Sequence, residues 1–500
     1  MTINAFASIN GTKLFSDKFT ELKYNSLGKT GLLVSEIGFG SYRIDIRSPL
    51  NRDALKKALL SGVNLIDTSS TYTDGNSELL IGEVLTEIIN ANLLSRESVV
   101  VVTKGGYIQG ENYILSQERK DENFPFKDLV EYEEGLEHCI HAEFLDDQIT
   151  RSLERLNLKT IDVYLLHNPE YYLKWAKNNN IDKETARKTY YARIKKAFEY
   201  LEKEVQKGRI RHYGVSSNTF PNDADAYEFT SLDKVISIAE EISAENHFSV
   251  IEFPMNIFEK DAALRANQSN NMTLLDLAVN KKLGVLINRP LNAILNNKLI
   301  KLAEPIIPVI PTADIINTEL ENINKLEKSI LQKLKLYVSD EISNEITHSL
   351  FVFEELKDSW SSYNDIFHWK NALNQHFLPR FHYYKNFIKN NSLKNEEFEM
   401  DLFSCTFKIG KLFSFISAYW DNEYLKFTAD IKSKLTALAP ELATTTRLSN
   451  MAIRTLRATR GVTTVLVGMT HLPYVADAIN ELKSPVNKDF EWNKINISVD

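Results

Sequence analysis

Short apolar runs, most of them rich in valine, isoleucine and leucine, punctuate the chain, and amphipathic stretches separate them. Eight stand out: EIGFGS from Glu36, NLIDTS from Asn64, VVVVTK from Val99, IDVYLLH from Ile161, RHYGVSS from Arg211, SVIEFP from Ser249, LGVLINR from Leu283 and TTVLVGM from Thr463. Runs this short and this apolar suit strands covered on both faces, as in parallel sheets. Helical spacing marks the segments between them, among them DALKKALLSG, SELLIGEVLTEIINA, DDQITRSLERLNL, ARIKKAFEYLEKEVQKG, DKVISIAEEISAE, TLLDLAVNKK and LSNMAIRTLRATRG. Strand–helix alternation of this length predicts the α/β class and a closed (β/α)8 TIM barrel, whose reactive groups sit at the C-terminal strand ends and the loops after them.

Two stretches exceed a minimal barrel. The loop after the third strand runs roughly from Gly105 to Glu143 and carries the charged run SQERKDEN. A much longer insertion follows the seventh strand. A structureless loop of that size is improbable in a compact domain, and KLEKSILQKLKLYV and ADIKSKLTAL have helical spacing. The predicted organisation is an N-terminal extension over 1–20, a barrel over 21–295 and 444–500, and a mainly helical insertion over 296–443. The insertion is expected to cap the pocket and restrict substrate choice, its aromatics Trp360, Phe367, Trp369, Phe377 and Phe381 forming its core, with lining of the substrate pocket as the alternative for some of them. No repeat at a fixed period is visible.

Composition changes this picture little. The chain has 500 residues, 43% hydrophobic, with a formal net charge of −8. That is ample for a large core and gives no reason to expect nucleic-acid binding. No apolar run approaches the roughly 18 residues of a membrane span, and the stretch from Met1 lacks a basic region followed by an apolar core. The expectation is a cytoplasmic protein without a membrane partner, its oligomeric state open. Two distant cysteines, Cys139 and Cys405, suit a reducing compartment.

Polar residues at the strand ends carry the chemistry. Strand two ends at Asp67, with Tyr72 in the following loop; strand three ends at Lys104 and strand four at His167. Singly, each has a plain reading: a cap, a solvated lysine, a hydrogen-bonded structural histidine. Together at consecutive strand ends they suit proton transfer. Asp67 would hold Lys104 charged, the ammonium would lower the pKa of the Tyr72 phenol, and His167 would orient a carbonyl oxygen or pass a proton. Tyr72 would then donate to an oxygen gaining negative charge. The HCIH run (His138, Cys139, His141) does not match common zinc spacing, and His368, His376 and His382 lie too unevenly for a metal face; no metal is expected.

The ordered set of motifs resembles the aldo-keto reductase family. LKYNSLGKTGLLVSEIGFGSYR is similar to its N-terminal β-hairpin and first strand, and GVNLIDTSSTYTDGNSELLIGEVL to the segment bearing its Asp and Tyr. VVVVTKGG carries the Lys, SLERLNLKTIDVYLLHNPE the His, KGRIRHYGVSSNTF the fifth strand and GVTTVLVGM the eighth. The match covers roughly 22–168, 207–291 and 448–482, which leaves this chain atypical in its long insertion. The resemblance implies an oxidoreductase that reduces an aldehyde or ketone to an alcohol, or the reverse, with NADP or NAD. Tyr72 is then the general acid beside Asp67, Lys104 and His167. It further implies cofactor contacts at Gly40, Ser41, Asp67, Ser216, Ser217, Glu252, Arg289, Gly468 and Met469. The partner would be a small carbonyl or alcohol substrate.

Three departures from the family pattern bear on the site. Glu252 stands where the family often has a Gln for the nicotinamide amide; it can accept but not donate, and it also reads as a solvated or ion-paired strand-end acid. Asn288 and Arg289 stand where the family often stacks an aromatic; Arg289 suits the cofactor pyrophosphate or an acid in the insertion. After strand eight, GMTHLPYVADAINEL offers His471 and no Arg or Lys before Lys483, which leaves NADPH against NADH open. The alternative function is a nicotinamide-nucleotide-binding regulatory or interaction protein without significant turnover.

Overall fold

The computed structural model describes residues 2–295, 298–305, 307, 309–390, 396–445 and 447–497. Residues 1, 296 and 500, outer ends of the segments expected from the sequence, lie outside the described residues. Eight strands close a parallel barrel in chain order: β1 (Ile37–Gly40), β2 (Leu65–Asp67), β3 (Val100–Gly105), β4 (Ile161–His167), β5 (Ile210–Ser216), β6 (Phe248–Pro254), β7 (Gly284–Asn288) and β8 (Thr464–Gly468). Each falls within a residue or two of its apolar run.

Period-two alternation splits the side chains of these strands. Leu65, Val100, Val102, Val163, Leu165, Val250, Leu286 and Leu466 form one buried cluster inside the barrel. Ile37, Phe39, Ile66, Val101, Tyr164 and Leu166 join a second cluster with the surrounding helices. Two residues beyond an inward position points inward again. The next inward layer is therefore Asp67, Lys104, His167, Glu252, Asn288 and Gly468.

The N-terminal hairpin, Tyr24–Ser26 paired antiparallel with Leu33–Ser35, adds Leu27, Leu32 and Val34 to the interior cluster. Its turn lies against the start of β7: a Cβ on Gly28 would stand 2.3 Å from Gly284 N, and Gly28 has φ +54°, so both contact and conformation require glycine. The residues before the hairpin are also ordered, with a helix over Ile9–Ser16 and the Ala7 amide donating to Asp162. The long third loop is not bare. It holds the helix Glu111–Asp121 and a small sheet of Tyr107–Ile108, Val130–Glu133 and Leu136–His138.

The chain divides into two compact units, 1–302 with 435–500, and 303–434. After β7 the chain first forms an antiparallel hairpin, Asn292–Leu295 with Lys298–Lys301, inside the first unit. The second unit is helical, with helices that include Ala313–Tyr337, Asp340–Leu350 and Leu378–Asn390. Trp360, Trp369, Phe377 and Phe381 are buried in its core with Phe398 and Leu402, and Phe367 packs against that core. Among the described residues no helix is long and apolar enough to cross a membrane.

Candidate active site

At the mouth of the barrel, register brings distant residues level. Gly40 pairs with Asp67 and Gly468, and Ser216 pairs with both His167 and Glu252. Lys104 reaches across from β3, fully buried. Its ammonium lies 2.5 Å from Asp67 Oδ1, 3.0 Å from the Thr68 carbonyl, 3.4 Å from the Tyr72 hydroxyl and 3.3 Å from Glu252 Oε2. Tyr72 enters from a tight turn in which Thr73 and Asp74 both have positive φ, a strained pair that aims the ring inward. Its ring stands edge-on to Tyr42 at 5.1 Å and to His167 at 6.0 Å.

Burial sets the electrostatics. Lys104 is held above the ordinary lysine range: burial opposes the charge, and Asp67 with Glu252 more than offsets it. Asp67 is pushed well above the carboxylate range by burial and then by Glu252, with Lys104 offsetting only part. The two partners of one ion pair thus move in the same direction, because Lys104 gains from two carboxyls whereas Asp67 must share it. Tyr72 moves opposite to the sequence expectation. Lys104 does pull its pKa down, but burial is the larger effect and the net direction is up. Tyr72 is half-buried as a residue, and its hydroxyl lies beside the fully buried Lys104 ammonium.

His167 is lowered well below the ordinary imidazole range by burial and by Lys104, so it is neutral. Ser69 Oγ lies 3.1 Å from its Nδ1. Behind it, His138 Nε2 donates to the His167 carbonyl at 2.7 Å, and Tyr107 stands edge-on at 4.6 Å. The HCIH residues are spoken for: beside the His138 bond, the Cys139 thiol donates to the Lys127 carbonyl and His141 Nδ1 caps a helix through the Glu143 amide. Among the described residues, no group of three or more His, Cys, Asp or Glu is placed to hold a metal.

The remaining residues singled out in the sequence scatter around this cluster. Glu252 is buried rather than solvated, 1% exposed. Its Oε1 accepts from Ser216 Oγ at 3.1 Å and Asn288 Nδ2 at 2.8 Å, while Oε2 has no hydrogen-bond partner, and neither has Asn288 Oδ1. Arg289 pairs with Glu259 at 2.7 Å. Ser41 accepts from Ser77 and Ser217 contacts Thr219. Gly468 is exposed with nothing within 4 Å of a Cβ, and Met469 is buried in the apolar core. Sequence reasoning missed Ser69, Tyr42, Tyr107 and Tyr171. The loop aromatics carry no periodic signal, and only the SSTY run hinted at Ser69.

The aldo/keto reductase family model matches residues 36–285, a span that holds all four of Asp67, Tyr72, Lys104 and His167. The chain belongs to the aldo/keto reductase family. It is similar to the NADH-specific methylglyoxal reductase of Escherichia coli (strain K12), 30% identical over 154 residues, covering 29% of this chain and 42% of that protein. It is also similar to the 6-dehydroglucose reductase of Novosphingobium aromaticivorans, 27% identical over 229 residues, covering 44% and 59%. The chain spans about half the length of the curated relatives it matches. Among solved structures, an aldo-keto reductase from Bacillus halodurans (holo form) aligns over 95% of both chains at 15% identity with a TM-score of 0.47.

Proposed function

We propose that this aldo/keto reductase interconverts an aldehyde or ketone with its alcohol, using a nicotinamide nucleotide, with Tyr72 as the proton donor. The observation that carries the reading is the Lys104 ammonium bridging Asp67 and the Tyr72 hydroxyl at the barrel mouth. Lys104 orients the phenol, Asp67 fixes Lys104, and neutral His167 offers a ring nitrogen to the substrate oxygen. As the carbonyl oxygen gains negative charge, Tyr72 gives it a proton; in the reverse direction the phenolate takes that proton back.

The reduced nicotinamide, when bound, supplies the hydride. The residues present fit such a group. Asn288 Oδ1 is an orphaned acceptor on a strand end and suits an amide N–H donor, and the open ground at Gly468 leaves room for the chain of a nucleotide. We assign cofactor contacts to Gly40, Ser41, Ser216, Ser217, Glu252, Gly468 and Met469. Arg289 serves pyrophosphate only by leaving Glu259.

The test is turnover of an aldehyde and ketone panel with NADPH and with NADH. Tyr72→Phe should lower kcat by about 10²–10⁴ and leave cofactor binding intact. Full activity in that variant would refute the assigned donor. Cofactor binding without turnover across the panel would favour the regulatory alternative.

A further inference from the structure

Lys104 has three N–H donors and four acceptors around it. Asp67 and the Thr68 carbonyl take two. The third is contested: Tyr72 OH receives it at 3.4 Å, while Glu252 Oε2 waits at 3.3 Å with no hydrogen bond of its own. Glu252 is held in that position from behind, since Ser216 and Asn288 grip its other oxygen. We propose that Glu252 is a positioning residue that keeps Tyr72 in its proton-donating form by competing with it for Lys104. The proposal rests on the reading of Tyr72 as proton donor.

The physical argument is charge balance in a dry site. One ammonium faces two carboxyls, all three side chains at most 5% exposed. Ionising Tyr72 would add a negative charge to a cluster in which a single cation is already shared between two carboxyls. The other groups facing it do not help: His167 is neutral, and Ser216 and Asn288 carry no charge. Glu252 opposes the phenolate directly through its own charge and indirectly by drawing on Lys104. A Gln of the same shape would keep the grip of Ser216 and Asn288, remove the surplus charge and leave the third N–H of Lys104 to Tyr72. The phenolate would then form more readily.

The experiment compares wild type, Glu252→Gln and Glu252→Asp, each with and without Tyr72→Phe. Tyrosinate absorbance is titrated in the alkaline range, and the increment removed by Tyr72→Phe reports Tyr72 without any turnover. In Glu252→Gln that increment should move down by about one pH unit or more, and Glu252→Asp, which restores the charge, should bring it back toward wild type. The falling alkaline limb of carbonyl reduction and the rising limb of alcohol oxidation should both move down with it, since one needs the phenol and the other the phenolate. A folded Glu252→Gln protein whose Tyr72 increment and pH limbs stay in place overturns the proposal. Absence of turnover in every variant would instead sink the proposed function, and the absorbance titration would still decide the role of Glu252.

Discussion

Lys104 Nζ stands 2.5 Å from Asp67 Oδ1, and the ammonium has no exposed surface at all. An ion pair that dry is held together by mutual need, because removing one partner strands the other. Lys104→Met leaves Asp67 and Glu252 facing each other without a cation. The expected loss is about 3–5 kcal/mol of stability at neutral pH, read by urea unfolding. The sign of its pH dependence follows from Asp67, whose folded-state pKa is already raised and would rise further. The folded variant binds more protons than the unfolded chain, so its deficit shrinks as the medium is acidified toward the unfolded carboxylate range of about 4. A variant as stable as wild type at neutral pH would contradict the buried triad.

His138 offers a second titration with the opposite sign. It is 1% exposed and burial brings its imidazole down to about 4, against about 6.5 in an unfolded chain. The native state therefore binds fewer protons between those values. Stability should be level above about pH 6.5 and fall as the pH drops toward 4, by about 3 kcal/mol from this group. His138→Gln keeps a donor for the His167 carbonyl and removes the titration. Its melting temperature should fall less steeply over the same acid window; identical slopes would show that His138 is not the sensor.

How much of this was legible depended on periodicity. The eight strands could be read because Val, Ile and Leu runs mark buried parallel strands, and alternation from Val102 and Leu165 already points Lys104 and His167 inward. The same alternation from Val250 points Glu252 inward, but its contact with Lys104 depends on barrel closure, which sets how far β3 and β6 lie across the mouth. Tyr107 reaches His167 from a short strand of the third loop, whose course no pattern encodes. The phenol of Tyr72 was misjudged because a charge partner can be named from sequence, whereas the amount of water displaced around a hydroxyl cannot. The paired strands Asn292–Leu295 and Lys298–Lys301 were divided between barrel and insertion because each is too short to announce itself.

Gly214 tests the packing beneath the site. The register between β5 and β6 shifts at Tyr213/Gly214, and a Cβ on Gly214 would lie 1.8 Å from the Val250 carbonyl. A glycine inside a strand here marks a close backbone approach. Gly214→Ala must push β5 away from β6, at a cost of about 1–3 kcal/mol or more. Ser216 and Glu252 pair two residues further on, so kcat should fall together with the melting temperature. An alanine variant with wild-type melting temperature would show that the strands have room to spare.

Trp369 tests whether the helical unit carries its own stability. It is fully buried, stands 6.2 Å from Phe413 and 6.0 Å from Phe377, and its Nε1 donates to Ser417 Oγ at 2.8 Å. Trp369→Ala removes a large apolar surface and orphans that hydroxyl, a loss of about 3–5 kcal/mol. The core around it is drawn entirely from 303–434, so the cost should fall on that unit. Two units with separate cores are not bound to melt as one. Calorimetry should show one transition moved to lower temperature and the transition of the barrel unit in place. If both transitions move together by the same amount, the two cores unfold as one cooperative body and their separation in the fold has no thermodynamic counterpart.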